Sequence, residues 1–252
     1  MMLNIYIYDG TYHGLLTCCF DAWKDKDIYS IRSKEENKSV NLLENVVYVE
    51  TDNEKAERII KWVGKEAGYE VQRKLYRVFL TEHPDRGMYI LRYLKLLDKL
   101  GRNVENHLYD DDVRNINKLS RMHASETHRL YGFVRFEVAG NNILYARIEP
   151  DFNQLEVIAP YFADRYNSHL WIIHDLARNM AAIFNGSEYI ITEYHGNMLD
   201  NESRTEISFQ KMWIEYLNAL TIKERLNLDL QKQKVPLKTR KHLTEFKLKS
   251  KN

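Results

Sequence analysis

Apolar residues in this chain alternate with polar ones in some stretches and recur every three or four positions in others, predicting strands and helices respectively. Leu3 to Tyr8 alternates, with Leu3, Ile5 and Ile7 on one face and tyrosines on the other, and Asp9-Gly10 predicts a turn. Tyr12 to Lys24 then sets Leu15, Leu16, Cys19, Phe20 and Trp23 at helical spacing, and Ile28 to Arg32 and Val46 to Glu50 predict further strands. Thr51 with Glu54 reads as a capping box opening a helix whose apolar stripe is Ala56, Ile59, Ile60, Val63 and Ala67. Val71, Leu75, Val78 and Phe79 mark a second helix, Pro84-Asp85-Arg86-Gly87 a break, Met88 to Leu100 a third helix and Asp110 to Leu130 a fourth.

The period changes again in the middle of the chain. Phe133 to Val138 alternates Val134, Phe136 and Val138 against Phe133, Arg135 and Glu137. Leu144, Ala146 and Ile148 then alternate against Tyr145 and Arg147. A three-residue loop, Gly140-Asn141-Asn142, would keep both apolar sets on one face of a hairpin, leaving the other to display Arg, Glu, Tyr and Arg. A short helix and a second pair of strands follow, the first of them Trp171-Ile172-Ile173. Ser203 with Glu206 opens a last helix bearing Phe209, Met212, Trp213, Tyr216, Leu217 and Leu220 on one face. That spacing matches a core face better than a base-stacking platform. The order predicts an α+β (or α/β) protein with a central, mainly antiparallel sheet, flanking helices and an inserted helical subdomain. One domain is expected over 1–252, with a strand-helix-strand start at 1–50, a helical insertion at 51–130, the central sheet at 131–200 and a C-terminal helix and basic tail at 201–252.

Composition narrows the class. With 44% apolar and 12% aromatic residues, 4 prolines and 10 glycines in 252 positions, the chain can build a sizeable core and carries no low-complexity linker. It has neither an apolar run of membrane-spanning length nor a basic-then-apolar start, so a cytoplasmic protein without membrane contact is expected. Cys18 and Cys19 are adjacent, which argues against a disulfide scaffold or a thiolate zinc site. The net charge of +1 hides an asymmetry: Thr221 to Asn252 holds ten basic and three acidic residues, net +7, on a body of net −6. A basic tail on an acidic body suits a polyanion partner, although a solvated terminus looks the same.

The candidate chemistry lies between Ser120 and Asn185. Arg121, Arg129, Arg135, Arg147, Arg165 and Arg178 fall among apolar positions, where Arg is rare unless paired. They are either ion-paired with Glu126, Glu137, Asp164 and Asp175 or part of a phosphate-reading surface. His174-Asp175 with Arg178 reads as an acid/base pair beside a phosphate clamp or as a turn lock, the turn lock being preferred because Asp at a turn accepts backbone donors. His123, Glu126 and His128 fit no common zinc spacing, and neither a metal nor a cofactor is expected. Asp9 to Gly14 lacks the full glycine pattern of a phosphate-binding loop.

The motif order resembles a bacterial family of DNA-metabolism or DNA-repair proteins whose members accompany a radical-SAM protein of DNA modification or repair, and whose domain also occurs fused to uracil-DNA glycosylases. The matching residues are Tyr8-Asp9-Gly10, Gly14-Leu15-Leu16, Arg129, Gly132 to Phe136, Tyr145-Ala146, Pro150, Phe162 with Arg165, Ile173-His174-Asp175 with Arg178, Trp213 with Tyr216, Ile222 with Glu224-Arg225-Asn227, and Pro236 before Leu243-Thr244-Glu245. Tyr161-Phe162 stands where the family pattern carries His-Phe, and Lys238 to His242 lacks that pattern's aromatic. The resemblance implies a DNA-repair accessory that binds nucleic acid beside a radical-SAM partner enzyme, and a uracil-DNA glycosylase is a second candidate partner. The expected binding residues are Arg129, Arg135, Arg147, Arg165, Arg178, Lys238, Arg240 and Lys241. The alternatives are an enzyme acting on DNA (a lyase, nuclease or glycosylase-like activity) around His174, Asp175 and Arg178, and an adaptor that touches only protein.

Overall fold

A computed structural model of the protein describes residues 3–37, 44–139, 142–196, 212–213 and 227–247. It divides into two compact units, Met1–Ser125 and Glu126–Asn252. The fold is α+β, and no helix among the described residues is long and apolar enough to cross a membrane.

In the first unit β1 (Leu3–Tyr8) lies between β2 (Ile28–Ser33) and β3 (Glu44–Tyr48), parallel to both. Ile5 and Ile7, together with Tyr6 and Tyr8, are buried, so the tyrosine face of β1 is covered as well as the isoleucine face. The connection between β1 and β2 is α1 (Tyr12–Asp21), capped by Thr11, whose hydroxyl accepts from Gly14 N. Gly14 is a packing residue: a Cβ there would sit 2.3 Å from Asp9 Oδ1. Helices α2 (Asn53–Ala67), α3 (Tyr69–Leu80) and α4 (Arg86–Leu100), with the start of α5 (Asp111–Phe133), share one apolar core with this sheet. The expected helical insertion is thus packed against the strand-helix start.

Two local expectations are corrected. Asp52 rather than Thr51 caps α2, its Oδ1 accepting from Glu54 N and Lys55 N, because Thr51 instead donates its hydroxyl to Asp9 Oδ2 at 2.8 Å. The break expected at 84–87 separates α3 from α4 but ends at 85, and Gly87 already lies in the first turn of α4, where its missing side chain lets the backbone approach Ile31.

The second unit is a five-stranded sheet in the order β4 (Glu137–Ala139), β5 (Ile143–Ile148), β6 (Trp171–Asp175), β7 (Met180–Phe184), β8 (Tyr189–Glu193). Only β5 and β6 run parallel, and the crossover they require carries α6 (Leu155–Arg165). The apolar face expected for β5 is observed: Ala146 and Ile148 join Val134, Ile158, Phe162, Trp171 and Ile173 in the core, with Leu144 packed against it. The strand expected from Phe133 is corrected, because α5 continues through Phe133 and Val134 N still bonds to Leu130 O. The opposite face, expected to display Arg, Glu, Tyr and Arg, is covered rather than open. Tyr145 and Glu137 are buried there with Ala139, Ile172 and Ala181, a second small core consistent with the unbroken apolar run of β6. Asn142, at the end of the hairpin loop, has φ +59°, while Gly140 and Asn141 lie outside the described residues. So does the expected capping box at Ser203 and Glu206, with most of its helix; Met212 and Trp213 alone of its apolar face are described.

Candidate functional site

Helical spacing on α5 sets Glu126, Arg129, Leu130 and Phe133 on one side of the helix. Opposite them β5 ends with Arg147 and Ile148 and runs into Glu149-Pro150-Asp151. The C-terminal segment after α7 (Leu228–Lys234) supplies Pro236, Lys238, Thr239 and His242. These three segments line one pocket of about 90 Å³.

Its rim is held by one buried and one half-buried charge. Glu126 accepts from Asp151 N at 2.7 Å, Phe152 N at 3.0 Å and Gln154 Nε2 at 3.1 Å, and Gln154 in turn accepts from the Thr127 hydroxyl at 2.7 Å. Arg178 donates to Asp175 Oδ2 at 3.0 Å, Asp151 O at 3.1 Å and Pro150 O at 3.4 Å. The strand-end loop is therefore pinned by a carboxylate through its N–H groups and by a guanidinium through its carbonyls.

Charges around the pocket are mixed. Lys238 meets Asp151 at 2.7 Å on the surface, and Glu149 pairs with Lys241 and, at 3.0 Å, with His242. Burial acts to raise the Glu149 pKa, but bonds from Lys241 and His242 outweigh it and hold the carboxyl below its usual range. Burial pushes His242 down, Glu149 acts the other way, and Lys241 and Arg147 add to the lowering. Arg147 reaches Glu137 only at 3.7 Å. Half-buried Arg129 has no carboxylate partner among the described residues.

Of the residues expected to bind nucleic acid, Arg129, Arg147 and Lys238 converge here and Lys241 stands beside them on Glu149. Arg135 is drawn elsewhere, donating to Gly132 O at 2.6 Å, reaching Glu245 at 3.4 Å and lying over the Trp213 ring. Arg240 donates to Val235 O and covers Phe246, and exposed Arg165 lies over Tyr166 at the end of α6.

The trio His174, Asp175 and Arg178 is not one site. Successive residues of a strand face opposite ways. His174 Nδ1 meets the Tyr145 hydroxyl at 2.7 Å in the second core, whereas Asp175 accepts from Ala177 N and Arg178 and closes the β6–β7 turn. Burial raises the Asp175 pKa, with Arg178 and backbone donors opposing. Burial also lowers that of His174, the Tyr194 backbone opposing and His195 and Arg147 adding to the fall, and it pushes the Tyr145 hydroxyl up to about 12. No group of three or more His, Cys, Asp or Glu that could hold a metal is found among the described residues; His123 is buried, His128 is exposed, and Glu126 is engaged by the 151–154 loop.

The chain belongs to the DUF4130 family, a domain of unknown function, whose model matches residues 84–245. That stretch contains every residue of the pocket. No curated protein matches the chain. Among solved structures it is similar to the pGpG-specific phosphodiesterase PggH from Vibrio cholerae, with 10% sequence identity and a TM-score of 0.32 over 85% of this chain and 88% of that one. Sequence reasoning missed His242, Glu149 and the anchoring role of Glu126. The signal available for Glu126 was its spacing three and four residues from Arg129 and Leu130 on one helix.

Proposed function

We propose that this protein is an accessory of DNA metabolism or repair that binds nucleic acid through its second unit, taking a backbone phosphate at the pocket of Arg129, Arg147 and Lys238, beside a radical-SAM partner enzyme. The observation that carries this reading is the convergence of three cations from separate chain segments on a pocket of about 90 Å³. A space of that size holds a few waters or one small tetrahedral oxyanion. Arg129 and Arg147 supply planar donor forks matched to such an oxyanion; Arg129 has no carboxylate partner among the described residues, and Arg147 shares its charge with Glu137 at 3.7 Å. The acidic neighbours favour a local clamp over a broad basic field, with modest affinity and a shallow salt dependence. The family resemblance supports the choice of DNA and of the partner, with a uracil-DNA glycosylase as the second candidate.

Fluorescence anisotropy with short single-stranded and duplex DNA over a salt series tests it. Arg129→Ala and Arg147→Ala should each weaken binding severalfold and flatten the salt slope by about 0.7–0.9 per lost phosphate contact. Arg165→Ala, at an exposed position near the end of α6, should change neither. The absence of DNA binding, or full affinity in both pocket variants, refutes the reading, and partner binding without DNA would favour the protein-only adaptor. Base release or strand cleavage that disappears in His174→Asn would favour the enzyme instead.

A further inference from the structure

A cavity of the first unit lies apart from the Arg129 pocket. It measures about 630 Å³, within the ordinary range for small-ligand sites of roughly 300–1,000 Å³. Phe20 at the end of α1, Trp23 in the turn that follows it and Trp62 on α2 form its apolar wall, and Lys24, Arg58 and Asp98 stand at its polar edge. Trp23 and Trp62 are half-buried, their ring centroids 6.1 Å apart and their planes at 88°, so a flat ring laid on one indole meets the edge of the other.

Charge decides the kind of ring. An aromatic corner of this sort could attract a cationic ligand, but two cations already occupy Phe20: Arg58 lies 5.2 Å and Lys55 5.6 Å from its centroid. Asp21 is paired with Lys55 at 2.6 Å. Lys24 and Arg58 against Asp98 remain without ion pairs among the described residues, a small positive excess around an aromatic wall. Such a site repels a third cation and favours a planar ring that carries a negative group.

We propose that the cleft of Phe20, Trp23, Trp62 and Arg58 is a binding site for a nucleotide, whose base stacks on the indoles and whose phosphate meets Arg58 and Lys24. The nucleotide is either free or an unpaired member of a single strand, since both present the same base and phosphate. The exposed carboxylate of Asp98 is placed to accept from a base amino group. The inference concerns a different unit from the Arg129 pocket and does not depend on it.

Tryptophan fluorescence and calorimetry on the full chain test it with three probes: deoxyadenosine, deoxyadenosine monophosphate and a short single-stranded oligodeoxyadenylate. Saturable quenching by the monophosphate is expected. Trp62→Leu should weaken it about tenfold or more, in keeping with the cost of losing a base-stacking aromatic. Arg58→Glu, at an exposed position that also covers Phe20, should weaken the monophosphate severalfold and deoxyadenosine much less. Tighter binding of the oligonucleotide in the Arg129→Ala protein assigns the site to a strand, and preference for the monophosphate assigns it to a free nucleotide. No saturable binding of any probe at millimolar concentration, or monophosphate binding in Trp62→Leu and Arg58→Glu as tight as in the parent, overturns the proposal. Either result leaves the Arg129 and Arg147 comparison untouched, so the two readings can fail separately.

Discussion

Replacing Glu126 with Ala should release the loop that forms the rim of the phosphate pocket. The carboxylate accepts three hydrogen bonds, from Asp151 N, Phe152 N and Gln154 Nε2. Bonds to a charged group contribute roughly 1.5–3 kcal/mol each, which bounds the loss at about 4.5–9 kcal/mol. Two effects reduce it. Asp151 is exposed and Phe152 half-buried, so their N–H groups can turn to water, and truncation removes a buried carboxylate that was itself costly to dehydrate. Gln154 has no such relief: it is wholly buried and loses an acceptor for its amide. A net destabilisation of about 3 kcal/mol is expected, lowering the melting temperature of this unit by roughly 10 °C. Glu126→Gln keeps one acceptor oxygen but turns donors toward donors, and should cost about half as much. Thermal denaturation followed by circular dichroism measures the loss. Hydrogen exchange localises it, since the amides of Asp151 and Phe152 should exchange faster while those of β7 do not. A Glu126→Ala protein within about 0.5 kcal/mol of the parent, the range of ordinary surface changes, would refute the anchoring argument.

Two further consequences can be checked on the same material. The pKa values of His174 and His242 lie below the ordinary histidine value, so on acidification the unfolded chain takes up protons that the folded one does not. Stability should therefore be full above pH ~6.5 and decline as pH falls below it, Glu149 adding nothing in this window because its lowered carboxyl stays ionised. His174→Asn, whose amide can occupy the Nδ1 position beside Tyr145, should flatten that decline in urea titrations, and an unchanged slope would argue against a histidine held neutral. In the first unit, Gly87→Ala should destabilise by about 1–3 kcal/mol despite better helix propensity, because the added Cβ would lie 2.7 Å from Ile31 Cβ and 2.9 Å from its carbonyl oxygen. A raised melting temperature would contradict that contact.

Periodicity carried most of the architecture because the relevant signals are local. The alternation of β5 and the apolar stripe of α2 both meet the cores they imply, Ala146 and Ile148 in one unit and Ala56, Ile59 and Val63 in the other. Boundaries were less legible where two periods overlap. Phe133 to Val138 alternates like a strand, yet its first residue completes α5, and only from Glu137 does a partner strand supply a ladder. Solvent exposure was not legible on the second face of the sheet. Tyr145 and Glu137 look like surface residues in isolation, and their burial depends on β6 and β7 presenting Ile172 and Ala181 to the same side.

The site shows why charged residues in an apolar setting resist assignment from sequence. Glu126 fits no metal spacing and Arg178 reads as a turn lock in preference to a phosphate clamp, because a paired charge in an apolar setting marks function or framework alike. In the structure they hold one loop from two sides, Glu126 through the amides of 151 and 152 and Arg178 through the carbonyls of 150 and 151. That loop turns Asp151 toward Lys238 and Glu149 toward His242, and so brings the C-terminal segment against α5 and β5. Arg129 borders the resulting space without a carboxylate partner among the described residues and Arg147 reaches Glu137 at 3.7 Å, and the availability of Arg129 depends on the partners that Glu126 and Arg178 have already taken. Spacing could place Arg129 one turn from Glu126, but the arrival of residues 236–242 beside them is a long-range event, fixed by ion pairs 87 and 92 residues apart in sequence.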